Sequence, residues 1–215
     1  MREKQTSILT TTISATSCCR GIVLTLCKPN KSRWHSFSVV LFSAMLLLFS
    51  EIGWGQQTIT KFAGTGSIDL YSDWRNIDWL NPNRVTSNDN NYATVNLSVG
   101  ENSGYLKSSN YNLNVPTGST ILGIELTIGR YSDFSIFDNI FDVTVSLLKY
   151  NNIVGTNKAN GTGWPNTETA ITYGGPTDLW GATWNSTEIN STDFGTVLQI
   201  NNQHFIQYTA YVDYM

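Results

Sequence analysis

Apolar and polar residues alternate in short runs along most of this chain, and a period of two is the mark of a half-buried β-strand. The clearest run is 121–130, where Ile124, Leu126 and Ile128 interleave with Glu125, Thr127 and Gly129. Residues 141–150 repeat it: Phe141, Val143, Val145 and Leu147 form the row expected inside, and Asp142, Thr144 and Ser146 the row expected outside. The connection over 132–139 is short enough to predict these two runs as antiparallel neighbours. Further strands are predicted over 92–99, 105–115, 196–200 and 205–214, with 58–62 as an opening edge strand. The last two main runs are expected to form a hairpin through 201–204, and both rows of 205–214 carry apolar or aromatic groups, which predicts cover on both faces. Asn, Gly and Ser clusters separate the runs, and helical periodicity is nearly absent. The expected fold is therefore all-β, an antiparallel, jelly-roll-like β-sandwich.

Two stretches, 71–92 and 161–184, lack this alternation and are rich in rings, so they read as long Trp-rich loops. Between them they hold Trp74, Trp79, Trp164, Trp180 and Trp184. Exposed indoles can stack on sugar rings while neighbouring amides bond to hydroxyls, which makes Trp74, Trp164 and Trp184, with Asn166, the candidate ligand-binding set. Buried, the same rings would plug the ends of the sandwich. Trp79 and Trp180, each beside a leucine and a turn residue, are assigned that role.

The N-terminal quarter has a different pattern. Residues 35–50 carry no formal charge and follow Lys28, Lys31 and Arg33, and Gly53-Trp54-Gly55 places small residues before Gln56. A positive flank, a short apolar core and small residues at the cut are the parts of a secretory signal. A membrane span asks for about 20 apolar residues, so this run is short for one. Residues 1–55 are thus expected to be leader and signal peptide, cleaved after Gly55, with a retained signal anchor as the alternative. The stretch 1–27 is long for such a leader, which suggests a mis-called start. Residues 56–215 form one expected domain, and because the final run stops at Met215 within a β-like pattern, it is expected to be a piece of a longer gene product. After cleavage no segment for membrane insertion is expected to remain.

Composition narrows the chemistry. Cys18, Cys19 and Cys27 all precede the apolar run, so the expected domain has neither disulfides nor cysteine-based catalysis. From Gln56 onward seven Lys and Arg face fourteen Asp and Glu, a balance that makes nucleic acid an unexpected partner. His204 is alone in this part of the chain, in a predicted loop, so a multi-histidine metal site is excluded there. Glu125 and Asp142, on strands expected to pair, are the carboxylates that could be spaced for glycoside hydrolysis; the alternative is a solvated sheet face. Calcium accepts irregular oxygen cages, which makes Asp73, Asp78, Asn88 and Asp89 the candidate metal set, although the spacing is not that of an EF-hand. The alternative there is a turn in which Asn and Asp bond to their own backbone.

Several motifs occur in a fixed order: Trp79-Leu80-Asn81-Pro82, Asn88-Asp89-Asn90-Asn91-Tyr92-Ala93, Tyr105-Leu106, Val115-Pro116-Thr117-Gly118, Tyr173-Gly174-Gly175-Pro176-Thr177-Asp178-Leu179-Trp180-Gly181, Phe194-Gly195 and Val212-Asp213-Tyr214. Over residues 70–214 this order resembles an uncharacterised β-sandwich module of large exported or cell-surface proteins from Bacteroidota-like and other environmental bacteria. The resemblance implies export and architecture and carries no catalytic residues. It points to a non-catalytic extracellular or cell-surface structural or adhesion module, whose partners are other domains of a longer surface protein. The alternative is a carbohydrate-binding module with a tryptophan-lined, calcium-supported site, whose partner is an extracellular polysaccharide.

Overall fold

A computed structural model describes residues 11–15, 56–69, 76–133 and 140–215. The alternating runs become strands β1 Thr11–Ala15, β2 Gln57–Lys61, β3 Thr65–Ile68, β4 Ala93–Leu97, β5 Leu106–Ser109 and β6 Ile121–Ser132. They continue as β7 Ile140–Lys149, β8 Asn152–Val154, β9 Thr169–Gly175, β10 Gly195–Asn202 and β11 Tyr208–Tyr214. A short α-helical turn, α1 Ser186–Ile189, starts at a capping box: the Asn185 side chain accepts from the Glu188 N–H, and Glu188 reaches back to the Asn185 N–H.

Among the described residues the strands pair antiparallel and fall into two sheets. In one, β4, β11, β6 and β9 lie side by side, with β1 and then β2 beside the first half of β6. In the other the order is β3-β5-β10-β7-β8. From β4 to β7, and again from β9 to β11, successive strands alternate between sheets, which is the pairing of a jelly roll. The inner rows meet as one core: Ile124, Leu126 and Ile128 from β6, Val145 and Leu147 from β7, Leu198 and Ile200 from β10, and Ala210 and Val212 from β11. Enclosing an aliphatic side chain of this kind contributes about 1.5–3 kcal/mol. This apolar burial holds the described sandwich together.

Several expectations are corrected. The predicted neighbours 121–130 and 141–150 are β6 and β7, which belong to opposite sheets, because the connection crosses the edge of the sandwich rather than folding back within one sheet. The predicted hairpin through 201–204 is likewise a crossing, from β10 in one sheet to β11 in the other. The inner row of β7 also changes side. Asp142 pairs with Ile200 while Thr144 pairs with Gln199, so Val143 is an extra residue, a β-bulge. Before the bulge Ile140 and Asp142 point inward, and Phe141 and Val143 stay half-exposed; after it Val145 and Leu147 point inward as expected. Asn157 fastens the bulge, its amide accepting from the Val145 N–H at 2.9 Å and donating to the Val143 carbonyl at 2.8 Å.

The stretch 161–184 is not a continuous loop, since β9 runs through its middle and pairs with β6 from Ile124 to Arg130. The predicted strand 105–115 ends as β5 at Ser109; beyond it Asn110, Asn112 and Asn114 take left-handed backbone while Tyr111, Leu113 and Val115 stay buried. The expected edge strand is present as β2. Thr11–Ala15, within the segment read as leader, lies as a strand between β2 and β6. The apolar run 35–50 and the cleavage point after Gly55 fall outside the described residues.

Candidate functional site

The inner row of β6 continues past Ile128 to Arg130, which is 1% exposed. A charge in that position requires a partner, and the bulge in β7 supplies one by turning Asp142 to the same interior. Arg130 and Asp142 form a buried ion pair between the two sheets. The rest of the Asp142 carboxylate is also used: the Trp164 indole N–H donates to Oδ1 at 2.9 Å and the Tyr173 hydroxyl to Oδ2 at 2.7 Å. The Arg130 guanidinium lies over the Trp164 ring at 4.5 Å and over Tyr173 at 5.6 Å. Burial, opposed by the nearby Arg130 charge, pushes the Tyr173 hydroxyl far above its usual range, so it stays a donor. This centre ties β6 and β9 to β7 and to the segment carrying Trp164.

Glu125 and Asp142, considered above as a hydrolytic pair, therefore do not share a polar face. Glu125 lies on the outer row of β6, whereas Asp142 is enclosed and bonded to Arg130. Trp164, a candidate stacking ring, is 1% exposed and its N–H is committed to Asp142, so neither of its faces is open to a ligand. Trp79 and Trp180 are buried, as assigned; their indole N–H groups donate to the carbonyls of Gly104 at 3.0 Å and Ile124 at 2.8 Å. The motif around Trp180 builds this corner. Gly174 holds a positive φ of 76° directly against the Trp180 indole and the Ile124 carbonyl, where a Cβ would collide. Asp178 Oδ1 accepts from the Trp180 N–H at 2.7 Å, and its other oxygen meets Lys158, whose charge holds the carboxyl below its usual range.

Trp184 is half-buried. Its N–H donates to the Leu179 carbonyl at 3.0 Å, its ring meets Phe194 edge-on, and Lys149 sits 4.7 Å from its centre. Asn166 is exposed on the loop before β9, and Trp74 and Asp73 lie outside the described residues.

The segment carrying Asn88 and Asp89 is an exposed turn of the Asx kind. Asp89 Oδ1 accepts from the Asn91 N–H and Oδ2 from the Ser87 hydroxyl, both at 3.0 Å, and these bonds hold its carboxyl below its usual value. The backbone N–H groups of Asp89 and Asn90 point at Asp213, 3.4 and 3.3 Å from its two oxygens. Asp213 is itself the extra residue of a bulge in β11, since Val212 pairs with Arg130 and Tyr214 with Gly129. Burial, with Glu168 and Asp89 nearby, pushes its carboxyl up to about 6 against the pull of the two N–H groups. Asp78 and Asn88 are exposed, and among the described residues no group of three or more His, Cys, Asp and Glu is placed to hold a metal ion.

Comparison with family models, curated proteins and solved structures found no match.

Two features escaped the sequence reading. The first is the Arg130–Asp142 centre. The second is a tyrosine cluster on the outer face beside β11: Tyr131 and Tyr211 stack at 4.5 Å with ring planes 6° apart, and Tyr92 meets both edge-on. The Tyr92 hydroxyl donates to Glu168 at 2.9 Å, and burial followed by that acceptor raises its pKa well above the usual value. Tyr131 and Tyr211 face each other across the β6–β11 pair, a juxtaposition that follows from the register Tyr211 to Tyr131. The apolar content of both rows of the last strand was its available signal. Tyr92, edge-on to Tyr211, and the Asp89–Asn90 turn, bonded to Asp213, supply the cover expected over that strand's outer face.

Proposed function

We propose that this domain is a non-catalytic structural or adhesion module of an exported or cell-surface protein, acting beside other domains of a longer chain. One observation carries the reading: the residues with most chemical potential are spent on fastening the fold. Arg130 and Asp142 neutralise each other between the sheets, and Trp79, Trp164 and Trp180 each give their N–H to an acceptor inside the domain. The signal-like pattern of 1–55 and the ordered motifs over 70–214, which resemble an exported β-sandwich module, support the same reading. Ligand contacts of an adhesion module would then lie on loops or sheet faces rather than in a catalytic cleft.

A second reading, a carbohydrate-binding module, is favoured by the half-exposed Tyr131–Tyr211 stack and by Trp184, which keep some aromatic surface near solvent. Isothermal calorimetry of the purified protein against a panel of extracellular polysaccharides, with and without a calcium chelator, separates the two. The structural reading expects no heat of binding. Saturable binding that Trp184→Ala or Tyr211→Ala abolishes would replace it with the carbohydrate-binding one.

A further inference from the structure

Two segments distant in sequence share one strand lane beside β6. Tyr214 of β11 pairs with Gly129, and Thr12 of β1 pairs with Glu125, on the edge of β6 opposite β9. Extending β11 along β6 would bring the fourth position after Tyr214 to the place of Thr12. The other wall of the lane gives the same count. The Ala63 N–H donates to the Met215 carbonyl at 3.4 Å, and Thr60 pairs with Thr12, so the third position after Met215 again falls on Thr12. β11 and β1 thus lie end to end along β6, running in one direction; the facing wall is β4 and residues 85–86 beside β11, and residues 57–63 from Met215 onward.

The second half of this lane spans Ile121 to Glu125 on one wall and Gln57 to Lys61 on the other, and it holds five residues. Its central register position, residue 13, is paired with Ile59 on one side and Ile124 on the other. Directly paired positions share a sheet face, and here that face belongs to the core: Ile124 is fully buried and Ile59 packs against the same cluster. Emptied, the lane would bare two strand edges above this apolar row, the arrangement that templates pairing with another strand.

We propose that this lane is a strand-binding site, which takes an extended segment antiparallel to both walls with an apolar residue at the register of position 13, and that Thr11–Ala15 is its resident occupant. Backbone pairing on both sides supplies affinity, and the apolar pair Ile59 and Ile124 flanking the central register position supplies selectivity, as in recognition by strand addition. In one respect this rests on the exported-module reading. Cleavage after Gly55 would part the occupant from the rest of the domain and leave it held by the lane alone.

The test uses the full chain. The Ile13→Asp variant should lose amide-exchange protection at least tenfold over 57–61 and 121–125, with β7 and β10 unchanged, and a synthetic peptide with the sequence of residues 9–17 should restore it. Protection that stays intact in the variant, that falls equally in both sheets, or that the peptide fails to restore would overturn the proposal. In a second chain, carrying an engineered protease site between residues 20 and 50, the N-terminal fragment should co-elute with the body after cutting. Its separation would also overturn the proposal. N-terminal sequencing of the exported protein tests cleavage after Gly55 on its own, so failure of the export reading is told apart from failure of the lane.

Discussion

Arg130 illustrates how far alternation reaches at the level of single residues. The row through Ile124, Leu126 and Ile128 places position 130 inside, but a buried guanidinium is tolerable only against a fixed carboxylate, and Asp142 reaches it through a bulge that no sequence pattern announces. Removing one member of such a pair leaves the other charge unpaired, so Arg130→Met and Asp142→Leu should each lower stability by about 3–5 kcal/mol in denaturant titrations. The double variant should recover part of that loss, because no charge is left uncompensated. Asp213 should give the domain a characteristic pH dependence. Its folded-state pKa is raised from 3.8 to about 6, so the native state holds a proton that the unfolded chain releases. Its contribution to stability is therefore full below about pH 4 and lost as pH rises through about 6. Denaturant titrations of the wild type between pH 4 and 7 should show this fall, and Asp213→Asn should flatten it.

At the level of elements, strand existence was legible and strand partnership was not. Period-two alternation depends on each strand's own surroundings, so β6, β7, β10 and β11 could be placed; whether consecutive strands pair or cross between sheets depends on the whole packing, and both predicted hairpins proved to be crossings. The tryptophan assignments divided along the same line. Trp79 and Trp180 each stand beside a leucine and a turn residue, and that signal is readable in the chain; Trp164 has no leucine beside it, and its N–H is taken by Asp142, which only the bulge in β7 turns inward. The bulge in β7 is the element most open to a direct test. Asn157→Ala would leave the Val145 N–H and the Val143 carbonyl without their side-chain partner, and should cost about 0.5–1.5 kcal/mol in thermal or denaturant unfolding, the net worth of a hydrogen bond that water can partly replace. The corner built by Gly174 and Trp180 should respond similarly: Trp180→Ala is expected to cost about 3–5 kcal/mol, as large-to-small changes of buried aromatics do.

For the whole molecule, two sheets whose inner rows interlock are also joined by Arg130, Asp142, Trp164 and Tyr173, a fastening made from charge and hydrogen bonds. The same economy explains why Trp164, expected on a ligand-binding surface, is closed inside the fold: a carboxylate and an indole that could have served a ligand serve the sandwich. All of this requires β6 and β7 to lie in different sheets. Inter-strand backbone NOEs in isotopically labelled protein measure that directly. The account predicts cross-strand contacts from β7 to β10 and β8, and from β6 to β9 and β11. A continuous ladder of backbone NOEs between β6 and β7, the arrangement that their spacing in sequence suggests, would contradict it.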